Sequence, residues 1–173
     1  HKREMPAEIA LNAPAPIPTE RTAQIDGLER LKDYFVQHSN LYQVVEDLDY
    51  IESGMHRPSF VLWALVGGLI AALVYFPLSP FLPHFVWAYY FVLWGAVTSV
   101  GYLRAGRRYE RRKAEYELLR RHAENDLRMM YNRCADCFLP LAWTPPPRII
   151  RMIDALRSGE IPSVDAYMER EAG

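Results

Sequence analysis

From Pro58 to Leu103 the chain carries no Asp, Glu, Lys or Arg. Two stretches inside that run, residues 58–76 (PSFVLWALVGGLIAALVYF) and 84–103 (HFVWAYYFVLWGAVTSVGYL), are apolar throughout. A helix needs roughly 20 apolar residues at about 1.5 Å rise each to cross about 30 Å of hydrocarbon, and both stretches reach that length. Between them stands PLSPFLP. Pro77, Pro80 and Pro83 remove backbone donors and forbid one continuous helix, so the chain is expected to turn there. The pattern predicts an all-α membrane protein built on a two-span transmembrane hairpin over 58–103.

The flanking segments change period. Ile25, Leu28, Leu31 and Phe35 recur at threes and fours, as do Leu41, Val44, Leu48, Ile51 and Met55, which predicts two amphipathic helices in 23–55. Asn40 and Gln43 stand between them as a capping box would, and Gly54 with Pro58 supplies a stop. Beyond the second span Tyr116, Leu119, Ala123, Leu127, Met130, Cys134 and Cys137 make one stripe, so the span is expected to run on as an amphipathic helix over 104–138, halted by Pro140. Two stripes, one on an acidic and one on a basic segment, predict an antiparallel pairing. Residues 1–22 are Pro/Ala-rich and expected to be an extended tail lying along another protein. Residues 139–148 (LPLAWTPPPR) are a rigid linker, and 149–173 a short two-helix tail with Ser163 as a helix cap.

Charge gives the hairpin a direction. Residues 24–57 hold seven acids and three bases, while 104–133 hold ten bases and five acids. Arg104, Arg107, Arg108, Arg111, Arg112 and Lys113 follow the second span, His56 and Arg57 precede the first, and the connecting corner has only His84. By the positive-inside tendency both termini are expected in the cytoplasm, or in the matrix if the membrane is mitochondrial. Tyr75, Phe76, Phe81, Phe85, Trp87, Tyr89 and Tyr90 suit an outer interfacial belt, with Tyr102 and Trp63 at the inner one. Ala64, Gly68 and Ala72 on one span, and Gly95 and Ser99 on the other, recur every four positions and are the candidate packing residues within the membrane. With 173 residues and half of them hydrophobic, the chain has too little other material to cover two such helices in water. It begins at His1 without methionine, which is read as either processing or trimming of an upstream segment, a cleaved organelle presequence being the more interesting of the two.

Chemistry changes the picture little. Cys134-Ala-Asp-Cys137 lacks the strand and helix setting of a redox pair and the second ligand pair of a zinc site, so it is read as two thiols in the helical stripe. The five histidines share no helical face at ligand spacing; His38 and His122 would meet only in one register of the outer helices. No carboxylate lies within the spans, so proton or ion translocation is not expected. The arginines Arg104, Arg107, Arg108, Arg111 and Arg112 are the candidate anionic lipid-binding residues, with cardiolipin or another anionic phospholipid as the expected bound molecule. Nucleic acid is not an expected partner, since these bases alternate with Glu110, Glu115 and Glu117 beside the bilayer. No catalytic residue, metal site or small-molecule substrate is expected.

The layout of coil, hairpin and second coil superficially resembles mitochondrial calcium uniporter pores, but PLSPFLPH stands where those pores carry acidic selectivity residues, which removes the cation-attracting ring. As a whole the chain resembles, as a class, accessory subunits of mitochondrial inner-membrane respiratory complexes or ATP synthase. That resemblance implies a non-catalytic assembly subunit in the inner membrane, with other subunits and lipid as partners. The alternatives are a homo-oligomeric channel or transporter component and a bacterial inner-membrane scaffold.

Overall fold

The computed structural model describes residues 4–78, 80 and 86–173. Among them the protein is all-helical, with six α-helices and no strand. These are α1 (Arg21–Gln37), α2 (Ser39–Ser53), α3 (Phe60–Leu78), α4 (Val86–Arg133), α5 (Pro146–Arg157) and α6 (Val164–Ala172), with a 3-10 turn at Leu141–Trp143. The chain forms two compact units, His1–Asp49 with Leu118–Gly173, and Tyr50–Glu117; α2 and α4 each contribute residues to both.

The first unit owes its core to three helical stripes. Leu28, Leu31 and Phe35 of α1, Met130 and Tyr131 of α4, and Ile149, Met152, Ile153 and Leu156 of α5 are buried together with Val164 and Tyr167 of α6. The α1 stripe therefore finds its main cover in the C-terminal helices, in addition to the basic helix. The tail is integral to this core because Pro145 and Pro146 start α5 at a fixed φ, and its apolar face then falls on α1. Between α5 and α6, Gly159 takes φ +78, which favours glycine, and Ser163 accepts a hydrogen bond from Ala166 N–H (3.2 Å). Ser163→Ala is expected to lower the stability of this unit by about 1 kcal/mol, read by denaturant titration.

Several expectations change in this unit. The α1–α2 break lies at His38, whose N–H bonds to Phe35 O (3.2 Å), and Gln43 donates to Asp47 (2.9 Å) and not to the backbone of Asn40, so no capping box closes there. No residue of α2 is buried; Leu41, Val44 and Leu48 flank Leu119 and Ala123 of α4 across a shallow depression, with Asp49 paired to Arg120 at 3.0 Å. Helix α4 stops at Arg133 and does not reach 138, because Asp136 takes a left-handed φ of 55 and turns the chain. Cys134 and Cys137 consequently lie in that turn and not on the helix.

The N-terminal segment also lies where the sequence did not place it. It docks on its own chain, along the face of α4 that carries Asn125 and Asn132, seven residues or about two turns apart. Asn125 accepts from Ile9 N–H (3.2 Å) and donates to Ala7 O (3.0 Å); Asn132 accepts from Asn12 N–H (2.8 Å) and donates to Ala10 O (2.9 Å). Arg128 donates to Ile9 O (2.9 Å), and Glu8 pairs with Arg121 (3.2 Å) and Arg128. Extended backbone that forms no sheet is thus satisfied by side-chain amides.

In the second unit α3 and the first part of α4 run antiparallel. Gly67 and Ala71 are buried against α4, and Thr98 meets Gly67. Trp94 donates to Ala64 O (2.8 Å) and Tyr90 to Gly68 O (3.3 Å). Small side chains at 64 and 68 expose helix carbonyls to these donors. Phe60 packs on Tyr102 (5.6 Å) at one end and Tyr75 on Tyr90 (5.8 Å) toward the other. Among the described residues one helix, α3, is long and apolar enough to cross a membrane, with 11% of its apolar window buried. Pro77 lies inside its last turn, so the helix runs past the first of the three prolines. The corner with Phe81, Pro83, His84 and Phe85, and hence the start of the expected second span, lies outside the described residues.

Candidate functional site

The cavity with the most varied chemistry lies wholly in the second unit, between the segment after α2, α3 and α4, and has a volume of about 890 Å³. Its wall is apolar: Trp63 and Ile70 from α3, Ala96, Val97 and Val100 from α4. Gly101 shapes that wall. A Cβ there would come within 2.7 Å of the Trp63 ring, so glycine lets the indole lie against the α4 backbone. At the other end the lining turns cationic, with His56, Arg104, Arg108 and Arg112. Among the described residues no Asp or Glu lines it.

The lining of the groove, and not the helix period, separates the arginines. Positions 104, 108 and 112 are four apart along α4, each about 6 Å above the last, and line the groove. All five arginines are exposed, and Arg107 and Arg111 do not line the cavity. The five predicted lipid-binding arginines thus divide into a groove row of three and an outer row of two. Among the described residues none of the five has an ion-pair or side-chain hydrogen-bond partner, whereas Arg120, Arg121, Arg128, Arg157 and Arg170 in the first unit are all paired.

Comparison with family models, curated proteins and solved structures finds no match to this chain. Its chemistry has to be read from its own residues.

The structure distributes the predicted packing residues unevenly. Ala64 and Gly68 meet α4 through the Trp94 and Tyr90 bonds, and Ala72 is half-buried. Gly95 has open space where a Cβ would be, and Ser99 is exposed, so neither belongs to the contact within the hairpin. The close approach runs through Gly67, Ala71 and Thr98, one position away from the row expected on each helix. Thr98, 4% exposed, holds its hydroxyl without a partner.

The thiols and histidines gather into no metal site: among the described residues no three His, Cys, Asp or Glu are grouped to hold an ion. His38 Nδ1 lies 2.9 Å from Tyr34 O, while His122 borders the depression between α2 and α4. Both cysteines are free; Cys137 is buried and Cys134 half-buried. Burial pushes the Cys134 thiol up to about 12, with the neighbouring Cys137 adding to the rise, and burial likewise raises Cys137. Tyr42 is pushed up to about 12 by burial against the opposing effect of its bond to Thr144, and Tyr131 is raised by burial as well.

The sign of the pH dependence follows. The fold holds these groups protonated, so the unfolded chain releases protons first as pH rises. The contribution is complete below the ordinary thiol and phenol values of 9.0 and 10.0 and is lost as pH climbs toward about 12. Stability of the first unit is therefore expected to fall through that alkaline window, by denaturant titration at stepped pH. Alkylation of Cys134 by iodoacetamide should rise about tenfold per pH unit without the plateau near pH 8.5 that an ordinary thiol shows.

Proposed function

We propose that the chain is a non-catalytic membrane subunit: a two-span hairpin of α3 and the apolar part of α4 anchors it in a bilayer, and its helical first unit serves in assembly with other proteins. The observation that carries this reading is the outward face of α3. Val61, Leu62, Leu65, Leu69, Leu73 and Phe76 are all at least 60% exposed, with no charged residue among or between them. Trp87, Phe91, Val92, Val100 and Leu103 extend the same character onto α4. Apolar surface costs about 25 cal/mol per Å² in water, and exposed patches beyond a few hundred Å² mark a partner or a membrane. Lipid suits this one, because it surrounds the helix and has no polar rim along nineteen residues.

The second span is argued from sequence: Val86 to Leu103 lacks charge, and the arginines begin at once after it. Two spans place both termini on one face, the cytoplasmic or matrix side by the distribution of Lys and Arg. The class of partner, an energy-converting inner-membrane complex, rests on the layout alone.

The decisive experiment is protease accessibility on sealed vesicles, combined with alkaline carbonate washing. Both termini should be cut or protected together, and the chain should stay with the pellet. Termini on opposite faces, or release by carbonate, would overturn the hairpin. Native purification in mild detergent tests the assembly role: co-purifying subunits are expected, and a lone monodisperse species sinks it.

A further inference from the structure

We propose that the groove of the second unit is a binding site for one anionic glycerophospholipid, its phosphate held by Arg104, Arg108 and Arg112 with His56, and one acyl chain lying along Trp63, Ile70, Val97 and Val100. The inference rests on the membrane reading of the hairpin and names a ligand for it.

Four observations converge on an amphiphile with a negative head. Among the described residues the cationic end has no acid in its lining and its three guanidiniums have no ion-pair or hydrogen-bond partner, so their donors are open to a ligand. Guanidinium forks suit phosphate oxygens, and three stacked over about 12 Å can follow a phosphate and its glycerol ester through the depth of a headgroup layer. The cavity continues from those arginines into an apolar wall, which a free phosphate would leave uncovered. Gly101 fixes Trp63 against α4, so the wall is built by packing.

Size and chemistry exclude the other occupants. A volume of about 890 Å³ falls in the range of small-ligand pockets, enough for a headgroup and one chain while the rest of the lipid remains in the bilayer. An acidic peptide would need partners for its own backbone groups, and the wall of Ile, Val, Ala and Trp gives it few.

The outer row makes the claim separable from general electrostatics. A charge that merely fixes topology or attracts an anionic surface acts equally through all five arginines. A site acts through the groove row only. Two charge-matched triple variants are therefore compared in the full chain, purified in detergent: Arg104→Gln, Arg108→Gln, Arg112→Gln against Arg107→Gln, Arg111→Gln, Lys113→Gln. Native mass spectrometry titrated with phosphatidylglycerol, phosphatidylcholine or glycerol 3-phosphate is the readout.

Wild type is expected to retain one phosphatidylglycerol per chain at concentrations at least tenfold below those needed for phosphatidylcholine. The groove triple should lose that preference, and the outer triple should keep it within about twofold. A further variant, Val100→Trp, fills the wall with every arginine in place and should also abolish retention. Equal losses in the two triples, equal retention of both lipids by wild type, or displacement of phosphatidylglycerol by equimolar glycerol 3-phosphate would each overturn the site. Flotation with pure phosphatidylcholine vesicles separates the two levels: a chain that inserts there yet shows no anionic preference defeats the site alone, and one that does not insert defeats the membrane reading beneath it.

Discussion

Phe35→Ala is expected to cost the first unit about 3–5 kcal/mol, the range for truncating a buried aromatic to alanine. Phe35 is wholly buried, packs edge-on against Tyr34 (5.3 Å) and Tyr42 (6.4 Å), and stands where α1 meets α4 and the C-terminal helices. The hole would also open beside a buried polar contact, because Tyr42 Oη lies 2.5 Å from Thr144 Oγ1, which in turn donates to Leu141 O (2.6 Å). Thr144 is fully buried, so a loosened Tyr42 leaves it poorly satisfied. Domains of this kind have about 5–15 kcal/mol in total, so the variant should lie close to its unfolding threshold. Val36→Ala, one position on and half-exposed, is the control and should change stability by about 0.5 kcal/mol or less. Denaturant titration in mild detergent, followed by near-ultraviolet circular dichroism, reads both. A loss at Phe35 no larger than at Val36 would mean that α1 is not packed on this core.

The all-helical class was legible because the period of Leu28, Leu31 and Phe35, and of Leu119, Ala123 and Met130, is a local property of the chain. Which stripe covers which is not local. The sequence offered the basic helix as partner for the acidic segment; α4 does contribute Met130 and Tyr131 beside α1, but the apolar face Ile149, Met152, Ile153 and Leu156 of the C-terminal tail is the larger cover. Charge orients surfaces, whereas buried area decides them. The docked N-terminal segment was missed for a related reason. Prolines at 6, 14, 16 and 18 announce extended chain, and the information about where it lies is in Asn125 and Asn132, more than a hundred residues away. Two asparagines at i and i+7 with an arginine between them were the available signal.

The candidate site shows the same limit at finer scale. Sequence identified the arginine cluster, but the split into a groove row and an outer row needs the position of Trp63, which in turn depends on Gly101. Gly101, to which the sequence assigned no role, sets the wall of the cavity. The small-residue row on α3 meets α4 through Ala64 and Gly68 but flanks the closest approach, and the row on α4 lies one position from it, because a four-residue period on a helix leaves neighbouring rows equally plausible; the crossing point, Gly67 against Thr98, selects between them.

That crossing point carries the second large effect. An ideal Cβ on Gly67 would overlap Thr98 Oγ1 and lie 3.2 Å from its Cβ and 3.3 Å from its Cα, so the obstruction includes backbone that cannot rotate away. Gly67→Leu should therefore force the helices apart at the expense of the Trp94–Ala64 and Tyr90–Gly68 bonds on the same face, costing about 1–3 kcal/mol or more. Gly67→Ala should cost less, since turning the Thr98 hydroxyl aside relieves the worst overlap. The hydroxyl itself is a second handle. It is buried without a partner, so Thr98→Val, of nearly the same shape, is expected to be neutral or stabilising by about 1 kcal/mol. Combining Gly67→Ala with Thr98→Ala should recover part of the single-variant loss, because the second change removes the atom nearest the new methyl group. Protease resistance of the hairpin in detergent, over a temperature series, orders the variants. Strict additivity of the pair, or a Gly67→Leu chain as resistant as wild type, would show that α3 and α4 do not meet at this glycine.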